Sequence, residues 1–157
     1  RLAETASSSF AVNLQKWVDI VESYESGTHA YHATMPTDAL AKFRDIMAEV
    51  AAYGFDQAKA QQQEMGNRVR ALLAERGVPS VAAAGFEAPG VVVSYIDAAD
   101  TPARFAAAGL QIAAGVPLMC DEPEGFQTFR LGLFGLDKIQ NVERTVTTFA
   151  EALDQVL

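Results

Sequence analysis

The stretch QTFRLGLFG, residues 127–135, decides how the second half of this chain is read. On an extended backbone successive side chains alternate between faces, so Phe129, Leu131 and Leu133 share one side while Thr128, Arg130 and Gly132 share the other. The first face is apolar enough for a core. Just beyond it, Ile139, Val142, Val146, Phe149, Leu153 and Val156 recur at three- and four-residue steps, which predicts a helix over 138–156 with Asp137 as its cap. A half-apolar strand followed by an amphipathic helix predicts a sheet with helices layered on one face.

Working back from that strand, GVPLMCDEPEG (115–125) reads as a loop and LQIAAG (110–115) as a candidate strand. DTPARFAAAG (100–109) has a cap, a proline just inside the start and a closing glycine, the signs of a short helix. GVVVSYI (90–96) is a strong β-branched strand, whereas SVAAAG (80–85) is a weak one. Earlier still the pattern is helical. Ala60, Met65, Val69, Leu72 and Leu73 mark a helix over 56–76 that Gly77 and Pro79 stop; Leu40, Phe43, Met47, Val50 and Ala51 mark another from Thr37 to the break at Gly54. Phe10, Leu14, Trp17, Val18 and Val21 suggest a shorter one over 10–24, after a polar start at 1–9. The expected fold is α+β, an α/β sandwich with an antiparallel-rich sheet packed against helices. The apolar stripes at 40–51 and 139–156 are expected to cover that sheet.

The chain has 157 residues, 50% of them hydrophobic, which is enough for a real core. Twelve basic against 20 acidic residues give a net charge of -8, which argues against nucleic acid and anionic membranes as partners. A single cysteine excludes an internal disulfide. No apolar run approaches the ~20 residues of a membrane span, and no basic-then-apolar leader is present, so the cytoplasm is the expected compartment. Arg1 in place of a methionine, and the texture of RLAETASSSF, suggest a piece of a longer protein.

Two stretches carry candidate chemistry. In HAYHATMPTDALAKF (29–43), two histidines, a tyrosine and two threonines precede a helix start, where free backbone N–H groups favour either a cap or a bound anion. Tyr31 and Thr34 can each donate an O–H to a phosphate oxygen, and Pro36 biases Met35 to an extended shape. The plainer alternative is that Thr34 or Thr37 caps the helix and Tyr31 packs in a core. In the second stretch, Arg130 stands two residues from Gly132, with room for a planar carboxylate in a bidentate pair. Its plainer alternative is a structural ion pair. His29 and His32 lack the further ligands that a zinc site needs. Cys120 stands beside Asp121 and Glu122, neighbours that disfavour a thiolate nucleophile.

Together these stretches resemble the C-terminal part of the class V aminotransferases, pyridoxal-phosphate enzymes of fold type I, and most of all the alanine–glyoxylate and serine–pyruvate aminotransferases. AYHATMPTDAL (30–40) resembles the family's Tyr-x-x-Thr-x-Pro segment, TFRLGLFG (128–135) resembles its Arg-Ile-Gly segment, and Gly54 falls where its long helix pair is interrupted. The resemblance implies that residues 1–36 are a remnant of the large cofactor domain and linker, and that 37–157 are the C-terminal small domain. It implies that Arg130 binds the α-carboxylate of a small amino-acid or 2-oxo-acid substrate. It also implies that Tyr31 and Thr34 reach the phosphate of pyridoxal 5'-phosphate bound in the neighbouring subunit of a homodimer.

The lysine that would hold the cofactor covalently and the acid on its pyridine nitrogen normally lie in the large domain. Lys16, in NLQKWV, has the wrong neighbours and reads as a surface residue. No catalytic residue is therefore assigned to this chain. A stand-alone binding domain, or the small domain of another fold type I enzyme such as a lyase, desulfurase or phosphonate transaminase, are the other readings.

Overall fold

The computed structural model describes residues 2–10, 12–96 and 98–157. The chain divides into two compact units, Arg1–Ile46 and Met47–Leu157.

The first unit holds a 3-10 turn, Leu2–Glu4, then helix α1, Leu14–Glu25, and most of helix α2, Thr37–Tyr53. Asn13 starts α1 by accepting a hydrogen bond at its side-chain oxygen from the Lys16 N–H at 3.1 Å, the usual way an orphan donor at a helix start is satisfied. Neither helix has a buried residue. The α2 stripe predicted to cover the sheet is instead exposed: Leu40, Phe43 and Met47 keep 43%, 62% and 55% of their surface. Periodicity shows which face of a helix is apolar and leaves open what covers it.

In the second unit the helix expected over 56–76 is α3, Phe55–Glu75, separated from α2 by Gly54 in a positive-φ conformation (φ 102°). Strand β1 (Val91–Tyr95), helix α4 (Thr101–Ala107), strand β2 (Ala113–Ala114), strand β3 (Thr128–Gly132) and helices α5 (Leu136–Ile139) and α6 (Val142–Val156) complete it. The sheet is antiparallel in the order β1-β3-β2, with Val92 opposite Leu131, Ser94 opposite Phe129, Val93 opposite Arg130 and Ala113 opposite Arg130. Register follows from the pleat. Val92, Ser94, Phe129, Leu131 and Leu133 all face inward and are buried, while Val93, Thr128 and Arg130 face outward. SVAAAG contributes only an isolated bridge, Ser80 to Ser94.

The covering layer is α3 and α6, with Met65, Val69 and Leu73 from one and Val146, Phe149, Leu153 and Val156 from the other buried in one core. Arg68–Glu143 and Arg76–Asp154, each closing to 2.7 Å, pin the two helices in register. Gly66 lets α3 approach the sheet, because a Cβ there would stand 2.6 Å from the carbonyl oxygen of Pro89. Gln62 donates to the carbonyls of Pro89 (3.0 Å) and Leu133 (3.2 Å), and Arg70 to those of Ala88 and Val91, so α3 also satisfies the backbone where the two strands end.

The single helix expected over 138–156 is two. The chain leaves helical geometry at Asn141 (φ -143°, ψ 76°), whose side-chain oxygen accepts from the Arg144 N–H at 3.0 Å. Asn141, not Asp137, caps the final helix, and Asp137 lies inside the four-residue α5. Asn is among the side chains best suited to that capping geometry. Asp100, placed as a cap for α4, makes no capping bond from its side chain; the Thr101 hydroxyl donates to the Ala98 carbonyl at 2.6 Å instead.

Candidate functional site

Arg130 sits mid-strand in β3 on the outward face, half-buried between Val93 of β1 and Ala113 of β2. Its Nε donates to the Ala114 carbonyl at 3.0 Å, which fixes the plane of the guanidinium. Among the described residues no carboxylate pairs with it, so the structural ion pair that would explain it most plainly is not what the fold builds. Among the described residues the terminal amino groups of Arg130 meet no acceptor. The room expected over Gly132 is bounded by an aromatic ring: a Cβ on Gly132 would lie 3.4 Å from Phe134, and one on Gly90 would lie 3.1 Å from it.

Next to Arg130 lies an open groove of about 580 Å³. Ala114, whose carbonyl orients Arg130, lines it, as does Thr128 on the same face of β3. Its other walls come from the start of α4 (Thr101, Pro102) and from the loop 115–127. The expected loop is thus one wall of this groove. Sequence reasoning missed Glu122, whose carboxylate accepts from the backbone N–H groups of Leu118, of Met119 at 2.8 Å and of Cys120 at 2.9 Å. Hydrogen bonding from its own N–H first, and then from those of Cys120, Met119 and Leu118, holds the Glu122 carboxyl below its usual range.

Tyr31 and Thr34 belong to the first unit. Their hydroxyls lie 3.2 Å apart on the segment that leads into α2, and both side chains are exposed, Tyr31 by 78%. Tyr31 is not a core residue, and the Thr34 hydroxyl meets Tyr31. One of these hydroxyls donates to the other, which leaves one O–H free on an exposed pair, a donor of the kind a phosphate takes, so these residues fit the phosphate end of the group that the resemblance implies. His32 sits in an aromatic cluster, its ring 4.3 Å from that of Phe10 and 5.1 Å from that of Trp17. Among the described residues no group of three histidines, cysteines or acids could hold a metal. Lys16 is exposed on the first turn of α1, and Cys120 is exposed with a free thiol.

No family model and no curated protein matches the sequence. The fold is that of part of two solved aminotransferase structures. Alanine–glyoxylate aminotransferase from Nostoc sp. superposes with a TM-score of 0.71 at 18% identity, over 88% of this chain and 36% of that one. A subgroup IV aspartate aminotransferase from Thermus thermophilus superposes with a TM-score of 0.66 at 19% identity, over 90% of this chain and 39% of the other. The chain therefore spans well under half the length of the proteins whose fold it shares. No helix among the described residues is long and apolar enough to cross a membrane.

Proposed function

We propose that this chain is the C-terminal part of a cytoplasmic, class V pyridoxal-phosphate-dependent aminotransferase, with residues 1–36 belonging to the large domain and linker and 37–157 forming the small domain. The observation that carries the reading is Arg130: a half-buried guanidinium beside a groove, oriented by the Ala114 carbonyl and unpaired among the described residues. A planar fork held in that way suits the α-carboxylate of a small amino or 2-oxo acid. When bound, pyridoxal phosphate supplies the electron sink for chemistry at the substrate's α-carbon. Arg130 orients the substrate toward it, and the Tyr31–Thr34 hydroxyl pair holds a phosphate oxygen of the cofactor in the neighbouring subunit.

Exposed apolar residues support the same reading. Leu14, Val21, Leu40, Phe43 and Met47 each keep more than 40% of their surface, more than a finished surface leaves grouped on two helices. In the parent enzyme they pack on the large domain and the partner subunit. The test is to compare this chain with the encoded full-length protein, both mixed with pyridoxal phosphate and assayed with alanine and glyoxylate. The full-length protein is expected to show a saturable cofactor absorption band and turnover, and the 157-residue chain neither. Turnover by the chain, lost on changing Lys16, would overturn the assignment.

Tyr31 and Thr34 have their own test. Replacing both, Tyr31→Phe and Thr34→Val, removes two O–H donors while leaving the β3 site untouched, so cofactor affinity should fall by roughly 1 to 3 kcal/mol with substrate discrimination intact. In mixed dimers the loss should appear in the cofactor of the unmutated partner. Equal cofactor retention in mutant and parent would reject the pairing.

A further inference from the structure

The shortness of β2 opens a second cavity, on the face of β3 opposite Arg130. The ladder between the two strands runs from Ala114–Phe129 to Ala113–Arg130 and stops there. Leu110 and Ile112, which precede it, and Leu131 and Leu133 of the β3 side then line a cavity of about 260 Å³ that is closed from below by α6. Its floor is core. Leu131, Leu133 and Phe149 are only 4%, 6% and 6% exposed.

The end of the ladder also leaves a backbone donor unused. Gly115 donates to the Thr128 carbonyl at 2.8 Å, so alternation along β3 turns the N–H and C=O groups of Thr128, Arg130 and Gly132 toward β2. Ala113 meets Arg130. Gln111, which the register would place opposite Gly132, makes no backbone bond to it, and Gly132 lines the cavity with its N–H unpaired.

The charge comes from the helices. Arg144 donates from Nη2 to the Asp137 carbonyl at 2.6 Å, which ties one side of the guanidinium, and among the described residues no carboxylate pairs with it. Thr148 lies one helical turn further along the same face, and among the described residues its hydroxyl has no partner. Lys138 pairs with Asp137 at 3.3 Å. Two cations against one acid leave a single positive charge beside an apolar floor.

That surplus suits a monoanion, since a phosphate dianion would meet the Asp137 carboxylate as well. A planar guanidinium suits a carboxylate, and the volume is near the lower end of what small-molecule sites use. We propose that this cavity is a second binding site, for a small monocarboxylate with an apolar body. Arg144, Thr148 and the Gly132 N–H take the carboxylate, and Leu131, Leu133 and Phe149 take the body. The site stands apart from the Arg130 site and does not depend on what Arg130 binds.

The test is calorimetric titration of the full-length protein with 3-phenylpropionate, with 3-phenylpropylamine and acetate as controls. The phenylpropionate is expected to bind with a dissociation constant of ~1 mM or tighter, the amine and acetate much more weakly. Arg144→Gln should weaken binding roughly tenfold, and Thr148→Trp, which puts a ring across the mouth, should abolish it. Both side chains are exposed, so far-ultraviolet circular dichroism should show the fold of each variant kept. Arg130→Lys should leave the affinity unchanged. No binding of phenylpropionate up to about 10 mM would overturn the site. Equal binding of the amine would overturn the carboxylate, and equal binding of acetate the apolar body. Affinity lost in Arg130→Lys and kept in Arg144→Gln would place the probe at the substrate site and overturn the proposal.

Discussion

Arg130→Lys in the full-length protein is expected to raise KM for the amino acid and for the oxo acid by roughly ten- to a hundredfold, equivalent to about 1.5 to 3 kcal/mol, while cofactor loading stays near that of the parent. A lysine at this position keeps the charge and loses the geometry. The Ala114 carbonyl loses the Nε donor that fixes the guanidinium plane, and a single ammonium replaces the two parallel N–H groups that match a carboxylate. Strand packing should survive, since the position is on the outward face and the core residues on either side, Phe129 and Leu131, point the other way. Steady-state kinetics with both substrates and the absorption of bound pyridoxal phosphate measure the two halves of the claim. An unchanged KM would remove Arg130 from the substrate site.

The place of Arg130 was partly legible because period-two alternation in residues 127–135 is unambiguous: it puts Arg130 on the face opposite Phe129, Leu131 and Leu133. The orienting carbonyl was not legible. It comes from β2, which the sequence shows as LQIAAG and the fold reduces to the pair Ala113–Ala114, since alanine pairs weakly and has little side chain to hold a longer ladder. Glu122 escaped for a related reason. In CDEPEG it reads as one of several acids in a loop, and only a backbone turned through positive φ at Met119 and Asp121 brings three amides onto it. No pattern in residue type announces that turn. The break at Asn141 was hidden differently, because Ile139, Val142 and Val146 keep helical spacing straight across it. The exposed stripe of α2 marks a further limit. A sequence shows that a face wants cover, and the cover here is proposed to lie in chain beyond these residues.

The core that supports this site hinges on three rings, and Phe105→Ala is expected to cost about 3 to 5 kcal/mol of stability in the second unit. Phe105 is 1% exposed and comes from α4; its ring lies 5.9 Å from that of Phe129 in β3 and stacks at 6.0 Å on that of Phe149 in α6. Each ring belongs to a different element, so deleting the middle one leaves a cavity where helix, sheet and covering helix meet. Neither neighbour can fill it by a simple rotamer change, because both are themselves buried. The site should suffer with the core: α4 also carries Thr101 and Pro102 of the groove wall, and its end is tied back by the Leu110 N–H bond to the Phe105 carbonyl. Phe105→Leu, which keeps most of the volume, should cost less than about 1.5 kcal/mol and serves as the control. Urea unfolding of the two variants, followed by far-ultraviolet circular dichroism, measures the difference. A Phe105→Ala midpoint equal to that of Phe105→Leu would mean that the rings touch without bearing the core.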